Sequence, residues 1–359
     1  MPSSRVATAI VRTIPLAIAK RELLKELLKR VSRSFYLTLI VVPRRVRDQL
    51  GLAYLFARAA DTIADTDLID RHQRLGFVKQ FKAQFASDRV GWEEVRAIQT
   101  ALVPHQSESA ERTLLERLDE CFKVYLSFIA EDRDRIRQLM GTLANGMEMD
   151  LTVFAGDSPR DLMALRSMDE LDRYTYYVAG CVGEFWTRMI CAHVPSLTGW
   201  DITAMGAIGV RFGKGLQLTN VLKDLARDLQ RGRCYLPEPI LRKAGLAPKD
   251  LLKRESLPAL RPVLVELIRI AREHLDQGWL YTMAIPRREV RVRLACMWPI
   301  VFAGHTLRRV VASSALLDPT VNVKMPRWQV YGLMAATTIT GACGALWTAY
   351  WGYVRKRIV

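Results

Sequence analysis

Residues 213–237 read GKGLQLTNVLKDLARDLQRGRCYLP, and this stretch decides the fold class. Its apolar residues recur with the period of an α-helix, and the alternation of a strand is absent from the stretch. Polar residues follow one another at steps of three and four, at Gln217, Asn220, Asp224 and Asp228. Such steps place side chains on one helix face. A polar stripe along an otherwise apolar helix is typical of a helix that lines a cavity.

A second pair of carboxylates has the same spacing. Asp61 and Asp65 stand four apart in the sequence RAADTIAD, and the turns before them are apolar. Carboxylates on an apolar helix are costly unless they are paired or bound to a metal. Mg²⁺ prefers hard oxygen ligands and commonly takes one or two carboxylates together with substrate phosphates. The two pairs therefore favour a divided magnesium site, although a solvated helix face would also explain Asp61 and Asp65 taken alone.

The rest of the chain is also helical in pattern. Turn signals separate the helices, for example at 155–159, where a third pair, Asp157 and Asp161, is interrupted by Pro159 and is interpreted as a loop and helix cap. Neither a Gly-rich dinucleotide motif nor a phosphate-binding P-loop is present. We therefore predict an all-α domain. The clearest helical periods run from Glu111 to Ala130, Arg135 to Leu151, Thr203 to Asp228 and Leu260 to Ala284.

Composition narrows the class of partner. The 359 residues are 50% apolar and include 53 Lys and Arg against 37 Asp and Glu, a formal charge of +16. This excludes a disordered or collagen-like chain and favours an anionic partner, such as a phosphorylated substrate or an acidic membrane surface. Nucleic acid is disfavoured because the cations are spread and no recognition motif appears. The six cysteines form no C-x-x-C pair, which favours free thiols in a reducing compartment.

The two ends of the chain differ from its middle. Residues 1–20 are basic and favour a membrane-surface helix over a signal peptide. After a catalytic domain at 21–315 and a linker at 316–327, residues 328–354 carry no charge and are flanked by aromatic residues and then by Arg355, Lys356 and Arg357. Such a run is long enough to cross a hydrocarbon core of about 30 Å. We predict a C-terminal membrane helix, with a buried core helix as the alternative, and a catalytic domain facing the cytoplasm.

Four blocks of the sequence belong together: Ser32–Phe35, Tyr54 through Arg58 into Asp61 and Asp65, Tyr174–Gly183, and Gly213 through Arg233 to Pro237. They resemble the squalene and phytoene synthase family, which joins two prenyl diphosphates head to head. Their order, spacing and chemistry agree over roughly residues 20–310. One departure is Lys223, which stands where the family usually has Arg and loses the bidentate geometry toward phosphate.

The resemblance implies a single isoprenoid-synthase helical bundle around a central cavity. It implies Mg²⁺ ions that bridge to the substrate diphosphates and are held by Asp61, Asp65, Asp224 and Asp228. It implies contacts to diphosphate oxygens from Ser32, Arg33, Ser34, Arg58 and Arg233. It implies an allylic pocket lined by Phe35 and Tyr54, and a polar wall completed by Gln217 and Asn220. Tyr174 would handle the proton or face the cation when the cyclopropane forms.

Within the family, the C-terminal run favours squalene synthases. These condense two farnesyl diphosphates through presqualene diphosphate and use NADPH to reduce it to squalene. The alternatives are a phytoene or dehydrosqualene synthase, which needs no reductant, and an enzyme that stops at presqualene diphosphate. A non-enzymatic scaffold of the same fold would show degraded aspartate pairs, and both pairs are intact. We expect a monomer.

Overall fold

The structure is a computed structural model that describes residues 15–32, 35–66, 68–154, 156–340 and 343–358. Most of the predicted basic segment at 1–20 lies outside these residues. The described chain is almost wholly helical, which confirms the all-α prediction.

Seventeen α-helices account for most of the described residues. The predicted helix from Glu111 to Ala130 is in fact two helices, because the backbone leaves the helical conformation at Arg117. Two stretches of π-helix, Glu22–Leu27 and Tyr176–Gly180, join neighbouring helices. The α-helices are α1 (Leu16–Arg21), α2 (Leu28–Ser32), α3 (Phe35–Val41), α4 (Arg44–Ala64), α5 (Arg71–Ala83), α6 (Trp92–Leu102), α7 (Ser109–Glu116), α8 (Leu118–Leu126), α9 (Ala130–Val153), α10 (Met168–Thr175), α11 (Cys181–His193), α12 (Ile202–Gln230), α13 (Glu238–Lys243), α14 (Leu257–Ala284), α15 (Val290–Ala312), α16 (Arg327–Thr340) and α17 (Gly344–Arg355).

A two-residue strand pair was not predicted. Strand β1 (Met163–Ala164) pairs in parallel with β2 (Arg233–Cys234), with Met163 opposite Arg233. The pair is too short to show a hydrophobic alternation in the sequence. Its effect is positional, because it ties the loop after α12 to the segment that precedes α10.

Two large hydrophobic clusters hold the helices in place. In the first, Phe56 of α4 packs against Phe122 of α8, with ring centroids 4.8 Å apart, and edge-on against Phe85. In the second, leucines of α12 meet those of α14, including the fully buried Leu222 and Leu267. The first cluster fixes the helix that carries Asp61 and Asp65, and the second fixes the helix that carries Asp224 and Asp228.

Glycines allow α11 and α12 to cross with their backbones in contact. A Cβ atom added to Gly183 would lie 1.9 Å from the carbonyl oxygen of Gly209, and one added to Gly213 would lie 2.1 Å from that of Ala179. Real atoms do not approach so closely, so any side chain at these positions would push the helices apart. The crossing explains the glycines of the block Tyr174–Gly183 and brings the start of that block beside α12.

The C-terminal region differs from the prediction. Residues 328–354 were expected to form one membrane-spanning helix, but the described residues form two helices, α16 and α17, and 341–342 lie outside the description. Among the described residues, no helix combines the length and apolarity needed to cross a membrane. Trp347, Trp351 and Val354 are instead buried against the domain.

Specific contacts show why this apolar run packs on protein. The indole of Trp351 stacks on that of Trp279 in α14 at 5.5 Å, and its Nε1 donates to Asp276 at 3.1 Å. Arg355 lies 2.7 Å from the same carboxylate. Threonine hydroxyls within the run accept hydrogen bonds from indole nitrogens, as when Thr337 accepts from Trp298 at 2.9 Å. Some of the residues that suggested a membrane anchor, Trp347, Trp351 and Arg355, are thus used within the chain, whereas Trp328 and Tyr331 are exposed.

We predict that Trp351→Ala lowers the free energy of unfolding by about 3–5 kcal/mol, the usual cost of truncating a large buried aromatic side chain. Urea unfolding followed by circular dichroism measures the change. Trp328→Ala is the matched control, because Trp328 is 73% exposed and its loss should change stability by less than about 0.5 kcal/mol. Equal effects of the two substitutions would contradict the packing described for α17.

Candidate active site

The fold brings the ends of α4 and α12 to one place, and Arg233 lies between them. The guanidinium of Arg233 lies 3.0 Å from Asp65, just past the end of α4, while Arg231 lies 3.6 Å from the same carboxylate. Of the nearby cations, Arg233 most strongly opposes the rise in the pKa of Asp228, which lies on α12. Only 8% of Arg233 is exposed. Asp65 from the first aspartate pair and Asp228 from the second, far apart in sequence, are therefore both influenced by one buried cation.

A further carboxylate, Asp150 on α9, belongs to this centre and was missed by the sequence reading. Its Oδ2 accepts a hydrogen bond from the hydroxyl of Tyr235 at 2.8 Å and lies 3.8 Å from Arg233. Burial raises the pKa of Asp150 to about 7, although Arg233 and the hydrogen bond from Tyr235 oppose the shift. Reading the sequence for paired carboxylates could not reveal it, because Asp150 has no partner four residues away.

Arg233 also belongs to an ion network that includes the exposed Asp157 and the buried Arg74. It lies 3.9 Å from Asp157, which also pairs with Arg74. Arg74 is only 1% exposed, and it donates to the carbonyl of Ala64 at the end of α4, at 3.0 Å. Asp157 was interpreted as part of a loop, and a 3-10 turn does follow at Pro159–Asp161. Its ion pairs were not foreseen.

The turn into β2 depends on one glycine. Gly232 has a φ of +74°, in the left-handed region, and a Cβ there would lie 2.7 Å from the carbonyl oxygen of Ser158. Only glycine adopts this conformation without strain. The turn directs Arg231 and Arg233, on either side of Gly232, toward the end of α4.

Arg58 and Glu111 form an ion pair beside the first aspartate pair. Arg58 hydrogen-bonds both Asp61 and Glu111, and Glu111 was also absent from the predicted site. Burial within the recess and then repulsion from Asp65 raise the pKa of Asp61 to about 6, and Arg58 limits the rise. Asp61 keeps 38% of its side chain exposed, so water reaches one side of the carboxylate.

The second pair has its own cations. Asp224 forms ion pairs with Lys223 and Arg227 on the same helix. Burial raises the pKa of Asp228 to about 7, against the opposing effect of Arg233. Burial and then repulsion from Arg227 lower the pKa of Lys223 to about 8. The lysine that departs from the family pattern thus lies inside the charged centre.

The rest of the polar stripe continues along α12. Gln217 is half-buried and Asn220 is exposed, and their side-chain amides are joined by a hydrogen bond of 3.4 Å. Asn220 lies about two turns before Asp228 and Gln217 about three, on the face that the sequence predicted.

Aromatic side chains form the wall beside Asp150. Tyr174 stacks on Tyr235 with ring centroids 4.5 Å apart and planes at 21°, and Phe154 meets Tyr235 edge-on at 5.2 Å. Tyr174 and Tyr235 are each 6% exposed. Burial, and next the charge of Asp150, raise the pKa of both hydroxyls well above the ordinary value. Both side chains are therefore neutral phenols at physiological pH.

The remaining predicted residues lie at the start of the domain. Arg33 and Ser34 fall outside the described residues, and Phe35 begins α3 but its side chain is likewise outside the description. Ser32 is buried, and its hydroxyl donates to the carbonyl of Leu28. Tyr54 is half-buried and packs against the first hydrophobic cluster. Their predicted contacts with substrate stay predictions.

The chemistry of the carboxylates fits magnesium. Within the described ranges, no group of three or more His, Cys, Asp or Glu side chains is arranged to hold a metal ion. Each aspartate pair instead offers two hard oxygen ligands, which matches the preference of Mg²⁺ for one or two carboxylates with phosphate and water completing its shell. Burial and the repulsion of Asp65 on Asp61 disfavour the charged carboxylates, and a divalent cation would relieve both effects.

Comparison with known proteins identifies the family. Residues 28–329 match the family described as Squalene/phytoene synthase. The chain belongs to this family. The resemblance read from the four sequence blocks is therefore confirmed.

Relatives within the family carry several names. The squalene synthase of Eremothecium gossypii is 24% identical over 93% of this chain and 71% of its own length. The presqualene diphosphate synthase of Rhodopseudomonas palustris is 28% identical over 72% of this chain and 77% of its own. A bifunctional lycopene cyclase/phytoene synthase of Pyrenophora tritici-repentis is 30% identical, but the match spans only 39% of that longer protein.

Solved structures of the family share the fold. That of TcSQS with the ligand BPH1237 superposes with a TM-score of 0.75 at 21% identity, over 95% of this chain and 91% of the other. A dehydrosqualene synthase in complex with a ligand gives 0.61 at 20% identity, over 90% and 95%. The helical bundle is thus that of the squalene/phytoene synthases.

The raised pKa of Asp228 predicts how metal-free protein responds to pH. An unfolded Asp titrates near 3.8 and Asp228 near 7, so the folded state binds the proton more tightly. This contribution to stability is present below about pH 4 and is lost as the pH rises through about 7. In EDTA, the free energy of unfolding of the wild-type protein should fall between pH 5 and pH 8 by on the order of 2 kcal/mol more than that of Asp228→Asn.

Urea unfolding of the two proteins at the two pH values makes this measurement. Glu255→Gln, a change at an exposed position, serves as the control and should keep the wild-type dependence on pH. An unchanged dependence in Asp228→Asn would show that Asp228 ionises normally.

Proposed function

We propose that the protein condenses two prenyl diphosphates head to head. The observation that carries this proposal is the meeting of two aspartate pairs, from α4 and α12, around Arg233 and beside the buried ring of Tyr174. Such a centre offers carboxylates for metals, cations for diphosphate and an aromatic wall for a carbocation. Membership of the squalene/phytoene synthase family supports the same reaction.

Asp61 and Asp65 on one side, and Asp224 and Asp228 on the other, would hold Mg²⁺. Bound there, Mg²⁺ would neutralise diphosphate oxygens and stabilise the departing diphosphate. The chain's own cations assist: the planar forks of Arg58 and Arg233 suit bidentate contact with phosphate oxygens.

The carbon chemistry then follows from the surroundings of the site. Departure of diphosphate from one substrate leaves an allylic cation, and the double bond of the second substrate attacks it. Loss of a proton closes a cyclopropane and gives a cyclopropyl diphosphate. Tyr174 and Tyr235, both nearly inaccessible to solvent, keep water from the cation on their side of the site.

We further propose farnesyl diphosphate as substrate and squalene as product, with NADPH as the reductant of the cyclopropyl diphosphate. Matches to squalene synthases over 93% of this chain support this choice. The relative from Rhodopseudomonas palustris supports a second candidate, an enzyme that stops at presqualene diphosphate. Membrane association, a cytoplasmic catalytic domain and a monomeric state stay predictions.

No residues are assigned to NADPH. The basic loop Arg231–Arg233 pairs with Asp65 and is proposed as part of the diphosphate site, so it is not assigned to a dinucleotide as well. We therefore derive no step through NADPH, and it enters only as a reagent in the assay.

Incubation of the purified protein with farnesyl diphosphate and Mg²⁺ tests the proposal. We expect squalene with NADPH and presqualene diphosphate without it, identified by mass spectrometry. Presqualene diphosphate under both conditions would favour the second candidate, and a C40 hydrocarbon from geranylgeranyl diphosphate would favour a phytoene synthase. A folded protein that releases diphosphate from neither substrate would contradict the proposed reaction.

Removal of one carboxylate from either pair should abolish turnover. Asp61→Asn and Asp224→Asn are expected to lower kcat at least a hundredfold at saturating Mg²⁺, because each leaves its pair with one charged oxygen ligand. The helical circular dichroism should not change. Asp119→Asn, at an ion pair with Lys123 on α8, is the control and should keep wild-type activity. Near-normal turnover in either site variant would refute the metal assignment.

A further inference from the structure

Three polar side chains of the site follow one another: Tyr174, then Tyr235, then Asp150. The ring of Tyr174 stacks on that of Tyr235 with centroids 4.5 Å apart, and the hydroxyl of Tyr235 donates to Oδ2 of Asp150 at 2.8 Å. The stacking of the two rings, and the edge-on contact of Phe154 with Tyr235, hold both phenols in this arrangement.

The hydrogen bond to Asp150 has a defined direction. A carboxylate can only accept, so the hydroxyl of Tyr235 donates its hydrogen to Asp150. The oxygen of Tyr235 keeps its acceptor capacity for Tyr174, the phenol stacked on it. A proton received by Tyr174 then has a route through Tyr235 to Asp150.

Asp150 is placed differently from the other carboxylates of the site. Asp61 is bound to Arg58, Asp65 to Arg233 and Arg231, and Asp224 to Lys223 and Arg227. Asp150 lies farther from its cation, 3.8 Å from Arg233, and receives its hydrogen bond from a neutral phenol. Among the described residues, none donates to its buried second oxygen, Oδ1.

We propose that Asp150 is the final acceptor of the proton lost when the cyclopropane closes, and that it acts through Tyr235 and Tyr174. This inference rests on the proposed condensation. The C–H bond of the coupled cation breaks, and its electron pair forms the closing C–C bond. The proton goes to the oxygen of Tyr174, whose own proton passes to Tyr235, and that of Tyr235 passes to Asp150. One cation and one carboxylate become a neutral ring and a carboxylic acid.

Two physical features favour this route over a single tyrosine as base. A phenol that accepts a proton without passing one on becomes a cation, whereas here both phenols end as they began. The two phenols are also nearly inaccessible, each only 6% exposed, so bulk water beside them is not at hand to take the proton. Burial raises the pKa of Asp150 to about 7, which suits a carboxylate that is charged before the step and protonated after it.

The test separates ionisation from proton loss. Tyr235→Phe keeps the stacked ring and removes the middle hydroxyl, while Asp150→Asn keeps an acceptor oxygen that takes up no proton. We expect diphosphate release from farnesyl diphosphate to stay within about threefold of wild type in both variants. The yield of C30 product per diphosphate released should fall at least tenfold, with C15 alcohols and alkenes appearing instead, because the cation is captured or diverted.

Further variants make the result specific. Asp150→Glu should recover much of the C30 yield, because it restores an ionisable carboxylate. The double variant should be no worse than the poorer single one, since both remove the same relay. Tyr177→Phe, the same chemical change outside the relay, is the matched control and should keep the wild-type ratio.

Other outcomes overturn the inference. A parallel loss of diphosphate release and C30 product in Asp150→Asn, with a raised Mg²⁺ requirement, would make Asp150 a metal ligand. A wild-type ratio of products in Tyr235→Phe would also overturn it, and this variant remains decisive if Asp150→Asn fails to fold. Wild-type protein that releases no diphosphate at all would refute the proposed condensation itself, which distinguishes that failure from failure of the relay alone.

Discussion

The ion pair between Arg233 and Asp65 is the interaction on which the site depends. It joins the loop after α12 to the end of α4, so two helices distant in sequence present their carboxylates to one space. Although burial opposes it, the surrounding carboxylates, Asp65 foremost, raise the pKa of Arg233, and the guanidinium stays charged. A buried pair of this kind is costly to break, because either partner left alone is an uncompensated charge. The network behind it, from Asp157 to Arg74, keeps Arg233 in position.

This concentration of charge needs rigid packing around it. Four aspartates, Asp150 and Glu111 lie near five cations, and burial raises the pKa of three of these carboxylates. Such a centre is less stable by itself than an apolar core would be. The close crossing of α11 and α12 at Gly183 and Gly209 and the aromatic cluster around Phe56 supply packing that holds it in place.

Local patterns in the sequence were enough to predict the helices and the aspartate pairs, because spacing along one helix decides which side chains share a face. Asp150 and Glu111 were not predicted because each is a single carboxylate whose partners lie far away in the sequence. The network of Asp157 and Arg74 and the short pair of β1 and β2 are likewise tertiary features. The packing of the C-terminal run was not predictable for the same reason: apolar aromatic residues suit lipid or protein equally well, and the stacking of Trp351 on Trp279 is a tertiary contact.

The most direct test of the account is a crystal structure with Mg²⁺ and an unreactive thiolo analogue of farnesyl diphosphate. The account predicts a diphosphate between the two aspartate pairs, metal ions bound by Asp61 or Asp65 and by Asp224 or Asp228, and the first isoprene unit beside Tyr174. A diphosphate bound elsewhere on the protein, or metal ions that leave one aspartate pair without a ligand role, would contradict it.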